Sequence, residues 1–182
     1  MHYTIVLSLV LLTSTVTVGQ NIKWTADRNL AWDDFQGTAD ASSKYHAQTQ
    51  SGVKYSYRWQ SSYSKAIYTF EVFSYYDKSL SWVKRGKLTP ELLAHEQLHF
   101  DISELHARKL KQSVTKATFT KRYKSEINKL FKENQTARET MQERYDRETE
   151  HMKNYKIQLE WQKYVDEELK RLEIYMETKV VN

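Results

Sequence analysis

The sequence contains no cysteine, one proline and four glycines in 182 residues. Without cysteine there is no disulfide framework, no lipidated cysteine, no thiolate metal ligand and no thiol nucleophile. The single proline is Pro90, and neither glycine nor proline follows it. The chain beyond residue 90 is therefore free of helix breakers, whereas Gly37, Gly52 and Gly86 punctuate the part before it. Long apolar runs are also scarce. Only Ile5 to Leu12 is nearly unbroken, and small residues and Thr17-Val18-Gly19 follow it. Residues 1–19 read as a secretory signal peptide with Gln20 as the first mature residue. The run is short for a bilayer crossing and lacks a basic stop-transfer flank, so no stable membrane insertion is expected after cleavage. The expected destination is outside the cytoplasm, in the periplasm or the medium. Residues 20–182 have the length of one domain.

Net charge is +5, unevenly spread. Between Leu105 and Gln135 nine Lys/Arg face only Glu126 and Glu133, a local excess of +7. Such a run is either a solvated helix face or a contact for an anionic surface. No nucleic-acid motif accompanies it, so no nucleic-acid partner is expected.

Val53 to Trp59 and Ala66 to Tyr75 are rich in aromatic and β-branched residues and flank a serine-rich turn, which predicts an antiparallel hairpin with Tyr68, Phe70 and Val72 on one face. Ser79 to Val83 is short enough for one more strand. Apolar stripes predict helices near 90–112, 119–150 and 153–177, with a break near His151 to Asn154. The fold class is therefore α+β: a small N-terminal antiparallel sheet (20–88) packed on a mainly helical C-terminal half (89–182). Trp32, Trp82 and Trp161 are expected in the core.

The chemistry centres on His95-Glu96-Gln97-Leu98-His99. Thr89-Pro90-Glu91 supplies an N-cap hydroxyl, a proline at the first helical position and an acid in the first turn, so this stretch is helical. Residues four apart share a helix face, so His95 and His99 aim two imidazoles at one ion. Glu96 is placed to act as general base on a metal-bound water. Catalytic zinc takes three protein ligands, and the third is not on this helix. Glu104 points roughly 180° from His95, and His106 is roughly 10 Å further along the axis. His46 and His106 are left out of the site. The best source is Tyr145-Asp146-Arg147-Glu148-Thr149-Glu150-His151. His151 is the expected third ligand, with Asp146 as the competing ligand or an orienting group. Tyr145 is a candidate oxyanion donor. Asp101 is expected to hold the free ring N–H of a ligand histidine. The bland alternative for 145–151 is an ordinary charged helix face.

Arg28-Asn29-Leu30-Ala31-Trp32-Asp33-Asp34-Phe35-Gln36-Gly37 resembles the amino-terminal signature of the bacterial "domain of unknown function 922" family of secreted zinc-dependent proteases. His95 to Ile102, with Glu104 and Ala107-Arg108, is similar to its central motif. Tyr145-Asp146, Thr149 and His151, then Gln158 and Trp161, resemble its carboxyl-terminal signature. One departure is Met152, where the family often has glycine. The resemblance implies an exported, zincin-like metallopeptidase using Zn²⁺ on peptide or protein substrates, with the His151 segment in the site. Two rival readings remain: a non-catalytic module stabilised by a metal, and an envelope interaction module acting through its basic surface.

Overall fold

A computed structural model describes residues 21–62, 65–177 and 179–182. The expected signal peptide, residues 1–19, lies outside the described residues. The fold is α+β with an antiparallel sheet.

Alternation dictates the sheet. Strands β3 (Ser51–Ser62) and β4 (Lys65–Asp77) pair from Ser51↔Tyr76 to Ser62↔Lys65. Every second residue of β4 from Tyr68 to Tyr76 is buried, which places Tyr68, Phe70, Val72, Ser74 and Tyr76 on one face. The expected hairpin and its inward face are both present. The other edge of β4 carries two short strands end to end. β1 (Asn21–Lys23) pairs with Tyr75–Asp77, and β6 (Lys179–Val181) pairs with Thr69–Glu71. A two-stranded sheet joins β2 (Ala47–Gln48) to β5 (Trp82–Val83).

Three helices follow. Helix α1 (Pro90–Lys116) begins as its sequence requires, with the Thr89 hydroxyl accepting the Leu92 N–H at 3.2 Å. Helix α2 (Tyr123–Glu148) starts four residues later than its stripe suggests, because Glu126 folds back to accept the Thr120 N–H. Helix α3 (Tyr155–Arg171) is capped by Asn154 and ends six residues short of the expected 177. Its last expected turn is replaced by a 3₁₀ turn (Glu173–Tyr175) that lets the chain return as β6 and seat Val180 against the core. β6 was not anticipated. No helix among the described residues is long and apolar enough to cross a membrane.

Helix α1 is the axis of the molecule. One side meets the sheet and α2 through Ala107, Leu110 and Val114, packed with Val53, Phe70, Val72 and Ile127. A second meets α2 and α3 through Leu98, Ile102 and Leu105, packed with Tyr145, Trp161, Val165, Leu169 and Leu172. Phe100 joins Leu30, Phe35 and Tyr76. Trp82 and Trp161 are buried; Trp32 is half-buried against the Leu30 cluster. Each well-buried large apolar side chain contributes roughly 1.5–3 kcal/mol.

A helix buried on so many sides must also house its charges. Glu104 accepts from the Ser74 hydroxyl at 2.7 Å and from Arg108 Nε at 2.9 Å, while Arg108 also donates to the Leu169 carbonyl at 2.6 Å. Lys111, 1% exposed, donates to the Met176 and Glu177 carbonyls. Two of the nine cations in the basic run are therefore buried. Removing one partner of a buried pair strands the other, at a cost of about 3–5 kcal/mol. Glu104→Ala should lower unfolding free energy by about that amount in urea titrations, and Glu104→Ala with Arg108→Met by clearly less.

Candidate metal centre

Two helices build the site. On α1, His95 and His99 stand one turn apart, with their Nε2 atoms 3.3 Å from each other. On α2, Arg138, Gln142 and Asp146 recur at four-residue steps on the face turned to α1. Asp146 Oδ1 lies 3.2 Å from His95 Nε2 and 3.0 Å from His99 Nε2. These three ligand atoms converge within 4.8 Å, a set that could hold a metal ion. The spacing can be tested against an ion directly. Tetrahedral zinc with bonds of about 2.0–2.1 Å separates its ligand atoms by about 3.3 Å. The observed separations fit.

The surroundings of the trio are fixed by hydrogen bonds. Gln142 Oε1 meets His99 Nδ1, and its amide donates to the His99 carbonyl at 2.8 Å. That bond leaves Nε2 of His99 turned to the convergence point. Gln142 was not singled out from sequence, although its place four residues before Asp146 was the available signal. Glu96 is 3% exposed, and its Oε2 is buried without a partner among the described residues. It lines the same groove as His95, His99 and Asp146, a cavity of about 630 Å³. Segment 44–51, which contains strand β2, also lines it and is tied to α1 by Thr49 Oγ1 donating to the Glu96 carbonyl and Ser51 Oγ to the His99 carbonyl, both at 3.3 Å. This segment includes His46, whose position sequence reasoning had no means to find.

Three expected roles change. The converging carboxylate is Asp146, whereas His151 stands beside it with Nδ1 3.5 Å from Asp146 Oδ1 and its ring against Tyr45 at 4.3 Å. Tyr145 is fully buried and stacks on the His95 ring at 4.6 Å. Its hydroxyl donates to the His95 carbonyl at 3.4 Å, so it is a wall behind the ligands and no oxyanion donor. Burial, beside the Glu96 and Asp146 charges, pushes its pKa up and keeps that proton in place. Asp101 does not reach a ligand histidine. Two residues past His99 it is turned roughly 200° around the helix, where its Oδ1 accepts from Trp24 Nε1 at 2.7 Å and Gln97 Nε2 at 2.8 Å. Burial raises its carboxyl to about 6. His95 Nδ1 is left without a partner among the described residues. His106 is buried between α1 and α2 and kept neutral, pushed down to about 3 by burial and by the Lys109 and Arg138 charges.

The turn after α2 explains how His151 comes back towards Asp146. Glu150, His151 and Met152 have φ of 49°, 51° and 74°, a left-handed run of three non-glycine residues. The turn is closed by the His151 N–H donating to the Asp146 carbonyl at 2.9 Å and the Asn154 N–H to the Thr149 carbonyl at 2.9 Å. Each such residue costs roughly 1–2 kcal/mol. The predicted break thus falls where it was expected, in a form no glycine announced.

An antiparallel-sheet α+β protein with two histidines from one helix and an aspartate from the next is, by fold and site, a candidate mononuclear metal protein. Residues 13–152 match the model of a family described as "Bacterial protein of unknown function (DUF922)", and the chain belongs to that family. No curated protein and no solved structure gives a match. The matched span includes the Arg28–Gly37 signature, which does not line the groove. Leu30 N–H donates to Gln97 Oε1 at 2.7 Å, and buried Asp34 pairs with Arg28 and Lys78, so this segment braces α1. Gln158 and Trp161 lie beyond the match; they tie α3 to the Glu91 carbonyl and the Glu148 carboxylate.

Without a metal, burial pulls the His99 imidazole down, but the Asp146 hydrogen bond and charge outweigh it and raise the pKa from 6.5 to about 9. Burial also pushes Asp146 up, and its two histidine partners hold it well below the usual carboxylate range. A histidine raised on folding stabilises fully below its unfolded value and loses that contribution as pH rises through the folded one. The melting temperature of the chelated protein should therefore fall between pH 6.5 and about 9, and Asp146→Asn should flatten that slope. Independently, Met152→Gly should raise unfolding free energy by about 1 kcal/mol, read by urea titration, because glycine removes the left-handed penalty.

Proposed function

We propose that the protein is an exported zinc-dependent metallopeptidase. The observation that carries this reading is Glu96: a buried carboxylate oxygen, without a partner among the described residues, in the groove beside a two-histidine, one-aspartate donor set. A structural ion needs no base at its side, and a hydrolytic one does. His95, His99 and Asp146 would hold the ion. When bound, zinc supplies positive charge that lowers the pKa of a water and polarises a carbonyl. Glu96 takes the proton of the attacking water as its oxygen bonds to the carbonyl carbon, and delivers it to the amine nitrogen as the C–N bond breaks. Buried Tyr145 and the Gln142 bond hold the two imidazoles in one orientation throughout. Segment 44–51 gives a peptide backbone a wall to lie along.

Export rests on the apolar run at residues 1–19. The exposed remainder of the basic run, including Lys121, Arg122 and Lys124, is a candidate contact for an anionic envelope surface. A metal-stabilised module without turnover is the second reading, favoured by the nearness of His151 to Asp146.

Elemental analysis should find one zinc per wild-type chain and little in His95→Ala or Asp146→Ala. Glu96→Gln should keep its zinc while turnover of a peptide library falls by about 10²–10⁴-fold. Unchanged turnover in Glu96→Gln would exclude the mechanism.

A further inference from the structure

We propose that His151 is a catalytic residue that donates a hydrogen bond to the carbonyl oxygen of the bound peptide as charge gathers there, and is not a metal ligand. The proposal rests on the peptidase reading of this groove. Hydrolysis builds negative charge on that oxygen, and a donor aimed at it is worth about 10²–10³ in rate. Tyr145, the oxyanion donor expected from the sequence, is spent on the His95 carbonyl and does not line the cavity. His151 lines the cavity, and its side chain is 39% exposed.

Three observations fix it there. Its Nδ1 is 3.5 Å from Asp146 Oδ1, the oxygen that also meets the His95 and His99 imidazoles, so a ring nitrogen borders the point where the donors converge. It nonetheless stands outside the converging set. Its ring rests on Tyr45 at 4.3 Å, and Tyr45 comes from segment 44–51, which lines the same cavity, so the position is defined by two separate segments of the chain. Its backbone is held left-handed between two more left-handed residues, and strain of this kind, maintained by closing hydrogen bonds, gathers at functional sites. An ordinary helix end would need one left-handed residue and no aromatic partner from another segment.

The test uses the mature protein with zinc and a phosphinic dipeptide, whose tetrahedral P–O⁻ imitates the charged oxygen. His151→Ala should keep one zinc per chain and bind the phosphinic dipeptide about 10–100-fold more weakly by calorimetry. His151→Gln, which retains an N–H donor, should recover part of the loss. Tyr45→Ala should weaken binding less than His151→Ala. Loss of zinc in His151→Ala would make the residue a ligand and overturn the proposal. Unchanged phosphinate affinity in His151→Ala would overturn it too, as would no binding by the zinc-loaded wild type. The same calorimetry in a Glu96→Gln background needs no turnover. A histidine effect there, together with a zinc-loaded wild type that cleaves no member of the peptide library, would uphold the donor while removing the peptidase reading.

Discussion

One carboxylate oxygen holds the centre of this protein together. Asp146 Oδ1 sits within 3.2 Å of two imidazole nitrogens that are themselves 3.3 Å apart. Two nitrogen lone pairs that close repel unless a proton or a cation stands between them, and the carboxylate favours either. The same contact joins α2 to α1 across a helix pair held elsewhere by apolar packing and by hydrogen bonds from Asn134, Gln142 and Tyr145 to the α1 backbone. The geometry that makes the pair cohere is thus also the geometry that makes it a candidate metal site. Stability without an ion and affinity for one draw on the same three atoms.

This has a consequence for α1. A helix that carries His95, Glu96 and His99 beside a hydrophobic core is buried on nearly every side, and its remaining polar groups must find partners inside. Ser103 shares a 2.8 Å hydrogen bond with Ser51, Glu104 is paired, and Lys111 reaches two carbonyls. Glu96 Oε2 and His95 Nδ1 are the groups in the motif left unmatched among the described residues. A buried oxygen without a partner is costly, so its presence beside the donor trio is best understood as a place kept for something that binds.

The order of the elements was legible because it depends on local rules. Thr89-Pro90 starts α1, alternation makes the hairpin, and the absence of glycine and proline leaves the rest helical. What was not legible depends on angles between elements. Asp146 and His151 were both available as partners of His95 and His99. Only the packing of α2 against α1 puts the aspartate in line, since no rule of spacing acts across forty-seven residues. Asp101 is a different case: helix arithmetic alone turns it away from His99, and its Trp24 and Gln97 contacts follow from that. The basic run misleads in the same manner, because Arg108 and Lys111 lie on the buried side of α1. β6 escaped notice because three residues are too few for a pattern, and its pairing partner is more than a hundred residues earlier.

The turn at 149–154 joins these threads. Had α2 run on, residue 151 would have continued along its axis and away from Asp146. Three left-handed residues bring the chain back instead, so that one helix terminus supplies both the carboxylate at the centre and the imidazole beside it. The arrangement separates two tasks that sequence proximity had merged. Asp146 is held on a helix, as the candidate donor trio requires. His151 is fixed by a strained turn and a tyrosine from segment 44–51, as suits a group that meets whatever enters the groove. The converging carboxylate thus sits on the helix, outside the most strained backbone among the described residues, and the turn that carries that strain brings an imidazole to the groove.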